Sequence, residues 1–228
     1  MILIILVVSG ALLLGAIWGL YGRLPDKVNG FMIALAGGAL IASLMEEMIT
    51  PAEAHLSVIE IIVAVLAGAI VFTSLDYWVD EKWGPNSGGG LLAAITLDGI
   101  PENLALGVAM IGATPVQIAA LAGSIFLSNL PEAAGGAKNM RESGYSKRKI
   151  MGLWAATAML LAAAAIFGNF MLTDVPEPYL DIIRCFAAGA VVASLATEVF
   201  PQGFREGHHA SGIAVAIGLG LAYWLGRL

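Results

Sequence analysis

Charge is scarce in this chain. Of its 228 residues only 12% are Asp, Glu, Lys or Arg, against 59% hydrophobic. The mean hydropathy of +0.86 lies far above what a soluble domain exposes to water, so the composition excludes an ordinary soluble globule and places the chain in a lipid bilayer. Cysteine is scarcer still. Cys185 stands alone, which excludes an internal disulfide framework and any four-cysteine zinc site. Basic residues number 11 against 17 acidic ones, and no basic tract is present that could follow a phosphate backbone. Nucleic acid is therefore not an expected partner.

What remains is apolar, and it comes in lengths of about 20 residues, enough to cross a bilayer. Eight such runs are read at roughly 2–22, 31–50, 57–77, 90–112, 115–140, 149–171, 180–200 and 210–227. The first lacks the basic n-region of a signal peptide and is too long for one, so it reads as a retained span. The expected fold is an all-α polytopic membrane protein, one transmembrane domain over 1–228 with no stretch left for a soluble domain.

Orientation follows from the lysines and arginines. With the N-terminus outside, Arg23, Lys27, Lys82, Lys138, Arg141, Lys147, Arg148, Lys149 and Arg205 all fall on the cytoplasmic side, nine of the 11 basic residues. The opposite loops, "TPAEAHLS", "GATP" and "TDVPEPYLD", are acidic or neutral. Both termini are expected outward, in the plasma membrane. A repeat points the same way: "LAGGALIASLMEEM" (35–48) and "FAAGAVVASLATEV" (186–199) agree at seven of 14 positions, each close to a proline, Pro51 or Pro201. Span two would then run opposite to span seven. The eight spans divide three, two and three (about 2–77, 90–140 and 149–227) as an inverted repeat, an architecture of transporters whose substrate sites lie near mid-membrane.

The middle two spans carry the unexpected residues. In "LDGIPENLALG" (97–107), Asp98 and Glu102 are four apart and share a helix face, while Pro101 has no N–H for the carbonyl of Leu97. The next span repeats the device in "LSNLPEAAGG": Ser128 and Asn129 stand four and three residues before Glu132, and Pro131 frees the carbonyl of Leu127. Carboxylates in hydrocarbon cost several kcal/mol each unless something pairs with them. With no lysine or arginine expected at that depth, the partner is a proton or a bound cation.

These two proline–glutamate segments resemble the paired "HNxPEG"-type motifs of the fourth and fifth helices of ZIP metal transporters. The "AGG" and "AAG" helices with their Glu-x-x-Pro-like turns resemble that family's second and seventh, and the likeness covers nearly the whole chain. It implies a transporter of divalent metal (zinc, iron or manganese) into the cytoplasm, with the metal as substrate, no organic cofactor and no enzyme activity. Position by position it implies metal-binding roles for Asp98, in the place of the usual histidine, Glu102, Ser128, Asn129 and Glu132. Departures are plain: Gly99 stands for the usual asparagine, Asn103 for the usual glycine, and no histidine remains in the motif pair. The sixth helix, "IMGLWAATAMLLAAAAIFGNF", lacks the carboxylate that completes a second adjacent site in many relatives. Their long histidine-rich loop is here "DEKWGPNSGGG".

Other residues admit two readings. Glu47 and Glu198 occupy matching repeat positions near span ends, as entrance or exit ligands or as interfacial carboxylates, and Glu46 reads as a solvated or capping residue. Ser128 and Asn129 also suit interhelical hydrogen bonding. His208 and His209 form either a weak metal-accepting patch or a solvated loop pair, and His55 lies in an outer loop. Small residues in "GIAVAIGLGLAYWLG" serve close helix packing or the face of a homodimer. The alternative functions are a sodium- or proton-coupled transporter of another substrate, since carboxylates and free carbonyls also suit Na⁺, and, more remotely, an intramembrane protease. The aspartyl type lacks its second mid-span aspartate. A rhomboid-like serine type lacks a buried histidine.

Overall fold

A computed structural model describes residues 2–23, 25–83, 88–111 and 115–227; the side chains at 80, 83, 88–91, 94, 95, 98, 115–117 and 120 are outside that description. Among the described residues are eight helices and no strand. They are α1 (Ile2–Tyr21), α2 (Asp26–Ala52), α3 (Val58–Trp83), α4 (Gly88–Ala109), α5 (Pro115–Glu142), α6 (Lys147–Met171), α7 (Glu177–Gly207) and α8 (Ala210–Leu225). Among the described residues α1, α2, α3 as far as Val79, α6 and α7 are long and apolar enough to cross a membrane, while α8 is apolar but has 16 residues. Large apolar side chains cover the outside of the bundle, Leu3 and Ile59 at 74% exposure among them. In water such a surface would aggregate; in lipid it is at home. The chain is a membrane protein.

Small residues set how the helices meet, because lipid offers no hydrophobic drive for helices to associate and close backbone approach must supply the contact energy. A Cβ on Gly38 would fall 2.0 Å from the Val215 carbonyl oxygen and one on Gly218 1.9 Å from that of Leu35, locking α2 to α8. The same arrangement joins α7 to α3, where Gly189 meets the Val65 carbonyl at 1.9 Å and Gly68 that of Phe186 at 1.8 Å. Gly15 and Gly19 of α1 lie in this way against Leu130 and Ala134 of α5, and Gly168 and Gly107 hold α6 against α4. Gly218, within the run read from sequence as packing or a dimer face, is thus spent on packing inside the chain.

An alanine at Gly189 should therefore lower the melting temperature of the purified protein, although alanine is favoured in a helix by about 1 kcal/mol. At Gly212, where an added Cβ meets nothing within 4 Å, the same change should not lower it. Equal melting of the two variants would contradict the close α3–α7 contact.

Two helices change winding at equivalent places. Met45–Ile49 in α2 and Leu195–Val199 in α7 are π-helical, and each stretch ends two residues before a proline, Pro51 or Pro201. Lacking an N–H, these prolines leave the carbonyls one turn back without their usual donor. The bonds shift by one residue: the Thr50 N–H donates to the Met45 carbonyl and the Phe200 N–H to that of Leu195. Wider π turns inside α-helices recur at functional positions, and these two carry Glu47 and Glu198, both half-buried.

Candidate metal centre

Glu102 and Glu132 sit on two helices in contact, α4 and α5. Each follows its proline within a continuous helix. Glu102 is only 8% exposed, Glu132 is half-buried, and Glu132 lies near enough for its charge to act on Glu102. The Ser128 hydroxyl, one turn earlier on α5, donates to the Glu132 carboxylate at 2.5 Å. Of the expected site residues the structure thus bonds Ser128 to Glu132 and places Glu102 within range of the Glu132 charge. The Asp98 side chain lies outside the described residues, so its approach to the pair is not part of the picture. Among the described residues no group of three His, Cys, Asp or Glu side chains is gathered closely enough to hold a metal.

Two amides complete the surroundings. Asn129 is 2% exposed and its Nδ2 has no hydrogen-bond partner. Asn103, fully buried beside Glu102 in sequence, donates from Nδ2 to the Gly99 carbonyl at 2.9 Å, while its Oδ1 is left without a partner. Buried polar atoms without partners are few in native proteins, and each calls for an explanation. Sequence reading passed over Asn103 because it stood only as a substitute for a motif glycine. The signal was an amide placed four residues after Gly99 in an apolar run. Gly99 itself serves packing: a Cβ there would fall 2.4 Å from Leu161 Cδ1 on α6, so this face of α4 abuts an apolar side chain.

The remaining candidates lie elsewhere. Glu46 is ion-paired with Arg227 at 3.2 Å, where the sequence suggested a solvated or capping residue. His208 and His209 are exposed in the turn between α7 and α8, as a solvated pair would be. His55 lies at the other end of the bundle, its Nδ1 2.7 Å from Asp181 of α7. The sequence offered no sign of what surrounds that aspartate. Asp181 is fully buried and Arg184 is 8% exposed; the Arg184 guanidinium donates to Asp181 at 2.7 Å and lies 3.4 Å from Glu177. Removing one member of a buried pair leaves an uncompensated charge at a cost of about 3–5 kcal/mol. Arg184→Met should accordingly lower the melting temperature far more than Arg227→Met, whose partner Glu46 is partly exposed. Similar melting would show that Asp181 is compensated without Arg184.

No family profile matches the chain. Among curated proteins it is similar to one from Arabidopsis thaliana described as a "putative zinc transporter", 24% identical over 213 residues covering 88% of this chain. The chain spans about a third of that relative's length, 34%.

Proposed function

We propose that this protein is a divalent metal transporter of ZIP-like plan. It carries metal of the zinc, iron and manganese class into the cytoplasm through a site of Asp98, Glu102, Ser128, Asn129 and Glu132 on α4 and α5. The observation that carries this reading is the paired Glu102 and Glu132 on adjacent proline-bearing helices inside an apolar bundle, with the buried amide oxygen of Asn103 awaiting a partner. Carboxylates held in so apolar a setting ask for a cation, and the oxygen-rich donor set suits a divalent metal as cargo. The zinc relative, alike over most of this chain, supports the same substrate class. Glu47 and Glu198 would serve as entrance and exit ligands: the widened π turns release backbone carbonyls beside each carboxylate.

The inverted three-two-three plan is part of this proposal. Exchanging α1 with α6, α2 with α7, α3 with α8 and α4 with α5 maps the glycine contacts onto one another: Gly38 on Val215 becomes Gly189 on Val65, and Gly218 on Leu35 becomes Gly68 on Phe186. A transporter built this way presents its central site alternately to either side by moving one group of helices against the other.

Vesicle uptake tests the function. Membrane vesicles containing the protein should accumulate Mn²⁺ or Zn²⁺ above vesicles without it. Sodium-driven accumulation of an organic solute in their place would favour the alternative transporter. Direction rests on orientation, which labelling tests. In a Cys185→Ser background, Glu53→Cys and Asp174→Cys should react with an impermeant thiol reagent from outside the cell, and Ser143→Cys should not. All three positions are exposed, so the reverse pattern would turn the protein over and reverse the flow.

A further inference from the structure

Where α2 begins and α5 and α7 end, a cavity of about 280 Å³ opens at the basic end of the bundle, lined among others by Asp26, Asn29, Lys138, Asn139, Arg205 and Glu206. Glu206 accepts from Asn29 Nδ2 at 2.7 Å and from Gln202 Nε2 at 3.2 Å. Asn29 is 4% exposed, and its Oδ1, also buried, has no hydrogen-bond partner. The Lys138 ammonium is 2.9 Å from Asp26 and near enough to Glu206 and Glu142 to feel their charge. The walls are held close: a Cβ on Gly30 would fall 2.3 Å from the Gly207 nitrogen, and one on Gly135 3.3 Å from Asn29 Nδ2.

An unpartnered, buried oxygen on an amide that is itself bonded to a carboxylate is half of a hard-cation site. The cavity already contains one cation, tethered on a flexible four-carbon stem. We propose that Glu206 and the Asn29 amide oxygen form a release station for a departing divalent cation, with the Lys138 ammonium as a tethered competitor that the arriving metal pushes aside. This rests on the transport reading above. Metal leaving Glu102 and Glu132 along α5 would meet two oxygen donors and then a positive charge, which weakens its hold and passes it to water. Arg205, exposed on the same rim, adds to that repulsion.

The test is Mn²⁺ binding, followed by the loss of the free-ion electron paramagnetic resonance signal, to the full-length protein in lipid nanodiscs. A Glu102→Gln, Glu132→Gln background removes the central pair and should retain weak Mn²⁺ binding. Adding Glu206→Gln or Asn29→Ala should weaken that binding about tenfold or more, and adding Lys138→Met should tighten it severalfold. Residual binding indifferent to all three substitutions overturns the station and leaves the central site standing. Wild type and background binding alike, with Glu206→Gln still weakening both, sinks the central site and retains the station. Weaker binding in Lys138→Met overturns the competitor role.

Discussion

Uptake of divalent metal is expected to vanish when either Glu102 or Glu132 is replaced by alanine. Each substitution deletes a carboxylate from a site that has few others. Glu102 is buried, so no solvent-borne ligand takes its place, and loss of Glu132 also strips the Ser128 hydroxyl of its acceptor. Outer-shell partners of metal ligands alone are worth 10–100-fold, so losing a ligand should cost at least about 100-fold. Folding should survive, because each change also removes a carboxyl group whose burial is costly. Glutamine variants separate shape from charge: Glu132→Gln still offers an acceptor to Ser128 and should nevertheless lose uptake. Glu60 supplies the control. It is exposed on the first turn of α3 and accepts from Ser57, so Glu60→Ala should transport normally. Folded Glu102→Ala and Glu132→Ala proteins with wild-type uptake would remove the site from the account.

A broad, hard metal preference is the second expectation, and Asp98→His should narrow it. As proposed, the site offers oxygens alone: three carboxylates, the Ser128 hydroxyl and the Asn129 amide. Imidazole is the softer donor and favours Zn²⁺, whereas carboxylate and carbonyl sets accept Mn²⁺ and Mg²⁺ more readily. Asp98 lies one turn before Glu102, so histidine there would reach the same point on the helix face. The preference for Zn²⁺ and Cd²⁺ over Mn²⁺ should rise roughly tenfold in competition uptake. Protons contend for the same oxygens, so affinity should fall with pH in the wild type. A wild type that already excludes Mn²⁺ in favour of Zn²⁺, with no change in Asp98→His, would contradict the oxygen-only site.

Much of this was written in the local pattern. The proline–glutamate pairs stood out because charge in an apolar run is costly, and Glu102 and Glu132 lie on adjacent helices. Helix ends were less legible. Hydropathy marks the stretch that prefers lipid, so the third run was read to residue 77, yet α3 continues through polar residues to Trp83. The α2 and α7 winding was half visible: Pro51 and Pro201 announced a disturbance, but the π turns depend on which carbonyl each N–H finally finds. Asp181 was hidden because "TDVPEPYLD" has the composition of a solvated loop, and only packing of α7 against the segment after α2 buries it with Arg184 beside a part-exposed His55. Asn29 and Glu206 are 177 residues apart; nothing in either neighbourhood names the other.

Anomalous diffraction from crystals of the wild-type protein equilibrated with Zn²⁺, collected at the zinc absorption edge, tests the central claim most directly. The account predicts a peak between α4 and α5 within about 2.0–2.2 Å of carboxylate oxygens from both Glu102 and Glu132, absent in Glu132→Gln. Zinc bound elsewhere in the bundle, with no density between these two carboxylates at saturating metal, would contradict it.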